Sequence, residues 1–113
     1  MNRHCYCKRH FFLPLRRPAF AVMARDACCG RRLPGAVFEL RCGETPLLAS
    51  RTGHCGKARF CALCPGEYTL LPAAAPCGYL KPRCPLQITV DCRRRIFING
   101  KRTRRVTVWF QRL

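Results

Sequence analysis

Cysteine dominates the reactive side chains of this 113-residue sequence, with 11 thiols against three histidines and five carboxylates. Cys61 and Cys64 form a C-x-x-C, a spacing that zinc sites and redox motifs share. No second C-x-x-C and no H-x-x-x-H accompanies it. His4, His10 and His54 are scattered singly, as solvated surface residues would be. An odd number of thiols leaves at least one free or intermolecular. Disulfides, plain free thiols and a structural zinc site all stay open at this level. No Ser-His-Asp or Cys-His pairing and no paired carboxylates stand out, so neither an enzyme nor a cofactor is expected.

The second chemical signal is charge. Twenty-two lysines and arginines against five acids give a formal net charge of +17. So strong a field favours polyanions of every kind, from nucleic acid to anionic wall polymers and acidic lipid surfaces, and singles out none. The run "CRRRIFINGKRTRR" (92–105) alternates charge with Ile96 and Ile98, as an exposed hairpin face would. Phe97 and Trp109 fall on the outward parity and could stack on bases, but no recognised nucleic-acid motif surrounds them.

The elements that carry these residues are short. Apolar residues alternate, as in Phe20-Val22-Ala24 and Ala36-Phe38-Leu40, and helical periodicity is absent. Further runs are Pro46–Ser50, Lys57–Cys61, Tyr68–Leu71, Leu86–Val90, Arg95–Ile98 and Arg104–Phe110, separated by turn signals such as "RCGE", "GHCGK" and "LCPGE". "INGK" (98–101) adds an Asn-Gly hairpin signal. This spacing predicts an all-β antiparallel sandwich of about seven strands over 19–113. Residues 1–18 read as a disordered basic arm, with an Arg-rich targeting leader as the alternative. "FFLPL" is broken by Pro14, Arg16 and Arg17, so no clear signal peptide is expected, and no sorting motif stands out. No window approaches the ~18 apolar residues of a membrane-spanning helix.

Four pieces stand in a fixed order: "DACCGRRLPGAVFEL" (26–40), "GHCGKARF" (53–60), "LCPGEYTL" (63–70) and "APCGYL" (75–80). Together they resemble the SpaA-like prealbumin-fold domain, or Cna protein B-type domain, of Gram-positive pilins and adhesins. The matching positions include Asp26, Gly30, Leu33, Gly35, Phe38, Gly56, Phe60, Pro65, Gly66, Tyr68, Pro76, Gly78 and Tyr79. The resemblance implies a prealbumin-like (Ig-like) sandwich acting as a structural or adhesive module at the cell surface. Its partners would be other surface-protein domains or host and cell-wall ligands. A small basic, Cys-rich nucleic-acid- or zinc-binding protein is the alternative.

Many such domains form an internal isopeptide bond. A buried lysine amine, neutral through desolvation, attacks an asparagine carbonyl while a buried carboxyl shuttles the proton. The resemblance assigns the lysine to Ala24, the glutamate to Pro72, and the asparagine to Phe110 or a neighbour. Alternation sends all three positions inward, but the reactive groups are gone. Arg25 cannot replace the lysine, because guanidinium stays protonated. The site is therefore expected to be apolar.

If consecutive strands reverse direction, loops alternate between the two ends of the sandwich. Cys42, Cys61, Cys64 and Cys92 then share one end, and Cys28, Cys29, Cys55 and Cys77 the other. Four thiols at one end would suit two disulfides or one tetrahedral zinc, given Cα separations below about 7 Å.

Overall fold

A computed structural model describes residues 19–61 and 63–113. The expected arm lies outside the described residues. Nine strands are found among them: β1 (Ala19–Asp26), β2 (Val37–Cys42), β3 (Thr45–Arg51), β4 (Lys57–Cys61), β5 (Gly66–Ala74), β6 (Leu86–Val90), β7 (Ile96–Ile98), β8 (Lys101–Arg102) and β9 (Arg105–Phe110). They form two sheets, one of order β4-β1-β9 and one of order β3-β2-β5-β6-β7-β8. No helix among the described residues is long and apolar enough to cross a membrane.

Alternation dictates the layers. Phe20, Val22 and Ala24 from β1 meet Phe38 and Leu40 from β2, Tyr68 and Leu70 from β5, and Ile88 and Val90 from β6 in one buried cluster. Within the small sheet, Phe20 and Phe60 are register partners and their rings stack with centroids 5.2 Å apart. The buried Tyr68 donates its hydroxyl to the Cys64 carbonyl at 2.6 Å, satisfying the polar tip of an otherwise apolar side chain. Thr52 does similar work between loops: its hydroxyl accepts from the Ala36 N–H and donates to the Leu33 carbonyl.

The prealbumin-like sandwich is as expected, with the Asn-Gly hairpin in place and one pairing that is not antiparallel. Asn99 and Gly100 both take positive φ (52° and 81°), so the turn twists with its flanking strands and adds a two-residue strand, β8. β9 pairs with β1 in parallel, from Ala21↔Arg105 to Asp26↔Phe110. No short turn links the first and last strands, so nothing local forces them to run antiparallel.

Candidate functional site

Ala24 and Phe110 are fully buried, while Pro72 is half-buried. Register joins the three neighbourhoods. Pro72 pairs with Phe38, and the Phe38 ring meets Phe110 edge-on across the two sheets, with centroids 6.2 Å apart. Phe110 in turn pairs with Asp26, two residues beyond Ala24 on the same inward face. A bulge between Val37 and Phe38 pairs Val37 with Ala74, and Pro72 also borders an open depression with Glu39, Arg41 and Lys81. Lys57 is half-buried, and Lys81 and Lys101 are exposed. Among the described residues, Asp26 and Thr52 are the buried polar side chains besides the Tyr68 hydroxyl.

Asp26, which the sequence marks only as the first residue of a D-x-x-x-G piece, is the hub of this end of the sandwich. One carboxylate oxygen accepts the Cys28 and Cys29 N–H groups at 2.7 and 3.1 Å, closing the turn after β1. The other accepts the Tyr79 hydroxyl and the Arg112 Nε, each at 2.7 Å. The carboxylate is wholly buried, whereas the Arg112 side chain stays 58% exposed. The Tyr79 hydroxyl, then Arg112 and the two turn amides, hold the Asp26 carboxyl well below the usual carboxylate range, against the opposing effect of burial. The same contact pushes the Tyr79 phenol and the Arg112 guanidinium up.

Backbone contacts brace this tie. Gly78, with φ of 90°, turns the chain so that Tyr79 bridges Arg112. The Leu80 N–H donates to the Gln111 carbonyl, and the Leu113 N–H to that of Gly78. A carboxylate engaged by four donors stays ionised at neutral pH and is poorly suited to shuttle protons. Its role is to fasten the β1 turn, the loop after β5 and the segment after β9 to one point. "D-x-x-x-G" and "CGY" carried a signal for Asp26 and Tyr79. Nothing local marked Arg112, 86 positions away.

The strand directions put Cys42, Cys61, Cys64 and Cys92 at the end where β1 begins: Cys61 pairs with Ala19, and Val90 with Gly66. They do not come together as a site. Cys42, Cys61 and Cys92 are free thiols, and Cys64 is disulfide-bonded. Among the described residues, no group of three or more His, Cys, Asp or Glu side chains could hold a metal ion. Cys28, Cys29, Cys55 and Cys77, at the other end, are exposed and free. Phe97 is half-buried and Trp109 is 52% exposed.

Two facing sheets, closed by a parallel pairing of first and last strands, define a prealbumin-like β-sandwich. The model of the SpaA prealbumin-like fold domain matches residues 21–103, and the chain belongs to this family. Its fold is shared by the Bacillus anthracis TIE protein (TM-score 0.70, 19% identity over 86% of this chain and 18% of that one). The group B streptococcus pilus 2b backbone protein is similar too (TM-score 0.65, 19% identity over 86% and 42%). So is the pilus adhesin RrgA of Streptococcus pneumoniae (TM-score 0.61, 26% identity over 75% and 10%). The chain therefore spans less than half the length of each of these three proteins. No curated protein matches it.

Proposed function

We propose that this chain is a non-enzymatic structural module of a Gram-positive surface or pilin-type protein, held together by packing and without an internal isopeptide bond. Family membership and the likeness to pilus proteins support the first half of this reading. The second half is carried by one observation: the Phe38–Phe110 ring contact fills the space between the sheets where an amine and an amide would have to meet. Ala24 supplies only a methyl group to the same buried layer. The buried carboxylate nearest to it, Asp26, is engaged by Tyr79 and Arg112. Such a module works by shape, as a spacer or platform presented at the cell surface, and its partners are other domains of the assembly or host and wall ligands.

Intact-mass measurement of the reduced chain tests this. The expected mass is that of the sequence with every side-chain amide retained. Loss of one ammonia, traced to a crosslinked peptide pair containing a lysine, would sink the proposal.

A further inference from the structure

The outward face of the small sheet carries a cationic trough. β1 lies at the centre of that sheet, and residues paired in register share a face. Arg59 and Arg105 flank Ala21 on either side, and Lys57 and Thr107 flank Met23. With neighbouring strands about 4.8 Å apart, the Cα atoms of Arg59 and Arg105 stand roughly 10 Å apart with only a methyl group between them. Along β4, Lys57 and Arg59 are spaced by about 6.6 Å. Two adjoining depressions, of 260 and 360 Å³, share Lys57 and Arg105. Ala19 and Ala21 lie in the first, bordered by Lys57, Arg59, Arg104 and Arg105, while the second holds the buried Met23, with Arg25 and Arg32 added to its rim.

Among the described residues, no acid on this face neutralises the rim. Asp26 is the sole acid on these three strands, and its carboxylate is buried on the inner side. Glu39 and Asp91 belong to the other sheet and its loops, where they pair with Arg41 and Arg95. Among the described residues, Lys57, Arg59, Arg104 and Arg105 make no ion pair. The rim charges repel one another across a distance comparable to the Debye length of about 8 Å at physiological salt. A bound anion relieves that repulsion.

Charge and shape narrow the occupant. A second copy of a chain with net charge +17 is repelled. Phe20 borders one depression but is only 2% exposed, and Trp109 lines neither, standing on the same face beside Arg25 at the edge of the second. Base-binding grooves need exposed rings on which to stack; the depressions themselves hold none, and the Trp109 ring stands beyond their edge. The ligand is gripped by its charges while an uncharged aliphatic backbone rests on the half-buried Ala19 and Ala21.

We propose that the trough along β1 binds a linear polyol-phosphate polymer, with phosphates on Lys57, Arg59, Arg104 and Arg105 and polyol units over Ala19 and Ala21. The inference stands on charge placement and is independent of the surface-module reading.

Binding of the full chain to fluorescent poly(glycerol phosphate), followed by anisotropy over a salt series, tests it. The triple variant Lys57→Gln/Arg59→Gln/Arg105→Gln should lose about 2 to 3 from the slope of log K against log salt, one unit or slightly less per phosphate contact. The variant Lys81→Gln/Arg83→Gln/Arg93→Gln removes the same charge from exposed loops of the other sheet and should leave the slope nearly unchanged. Equal loss in both variants would show diffuse attraction and overturn the site. Tighter binding of oligothymidylate than of an abasic oligonucleotide of equal length would overturn the polyol assignment in favour of nucleic acid. Should the first variant fail to fold, thiol footprinting of the unmodified chain decides. The polymer should slow alkylation of Cys55, which lines the trough, and of Cys61, the partner of Ala19. Protection confined to Cys84 and Cys92 would place the polymer elsewhere.

Discussion

The Asp26 carboxylate ties its contribution to pH. Its carboxyl titrates at lower pH in the folded chain than in the unfolded one, because the Tyr79 hydroxyl, Arg112 and the turn amides favour the ionised form. Between the two values the unfolded chain holds the extra proton, so stability rises with pH there. The contribution is complete above the unfolded value of about 3.9 and fades as acid approaches the folded value. Asp26→Asn should therefore be less stable than the parent at neutral pH, with the difference narrowing below about pH 4. Urea midpoints measured across that range check this; a variant matching the parent at neutral pH would show that the tie contributes nothing. Arg112→Gln should weaken the same acid limb by less, because Tyr79 and two amides remain.

At the scale of elements, the fold depends on two places where segments approach closely. The loop before β4 presses on β1 at Gly56, whose carbonyl accepts the Ala24 N–H at 2.8 Å. A Cβ at Gly56 would stand 2.9 Å from the Arg32 Cβ, 3.0 Å from the Leu33 nitrogen and 3.1 Å from the Ala24 carbonyl oxygen, at a φ of +73°. Two of those neighbours are backbone and cannot swing aside. Gly56→Ala should cost at least the ~1–3 kcal/mol of a strained left-handed residue, read from denaturant unfolding. An unchanged midpoint would mean that the loop gives way freely. The second place is the contact between sheets at Phe38 and Phe110. Phe110→Ala removes a fully buried ring and should cost about 3–5 kcal/mol through lost transfer and the cavity left behind. A loss below about 1 kcal/mol would place the centre of packing elsewhere.

For the whole molecule, two sheets joined by side-chain packing should unfold as one unit under reducing conditions. The stability expected is that of an ordinary small domain, about 5–15 kcal/mol. Chelation separates this molecule from a zinc-built fold, whose stability is inseparable from its metal. Circular dichroism and the unfolding midpoint should be the same with and without a strong chelator. A chelator-dependent melt would revive a zinc site through cysteines.

Period-two alternation, turn residues and ordered motifs determined a great deal by themselves, because each is a local constraint. Alternation sorted Phe20, Val22, Phe38, Leu40, Tyr68 and Leu70 to the inner face, and Asn99-Gly100 dictated the hairpin that holds β8. The same alternation placed Ala24 and Phe110 in the core. The parallel pairing of β9 with β1 was not legible, since it joins segments that no turn connects. Neither was the Asp26–Arg112 contact, which exists only once β9 lies beside β1. The cationic trough belongs to that second group. Lys57, Arg59 and Arg105 look like scattered charges along the chain, and only the register of β4, β1 and β9 sets them around Ala21 and Met23. Local sterics write strands and turns into a sequence, whereas the meeting of distant side chains is decided by how the strands pair.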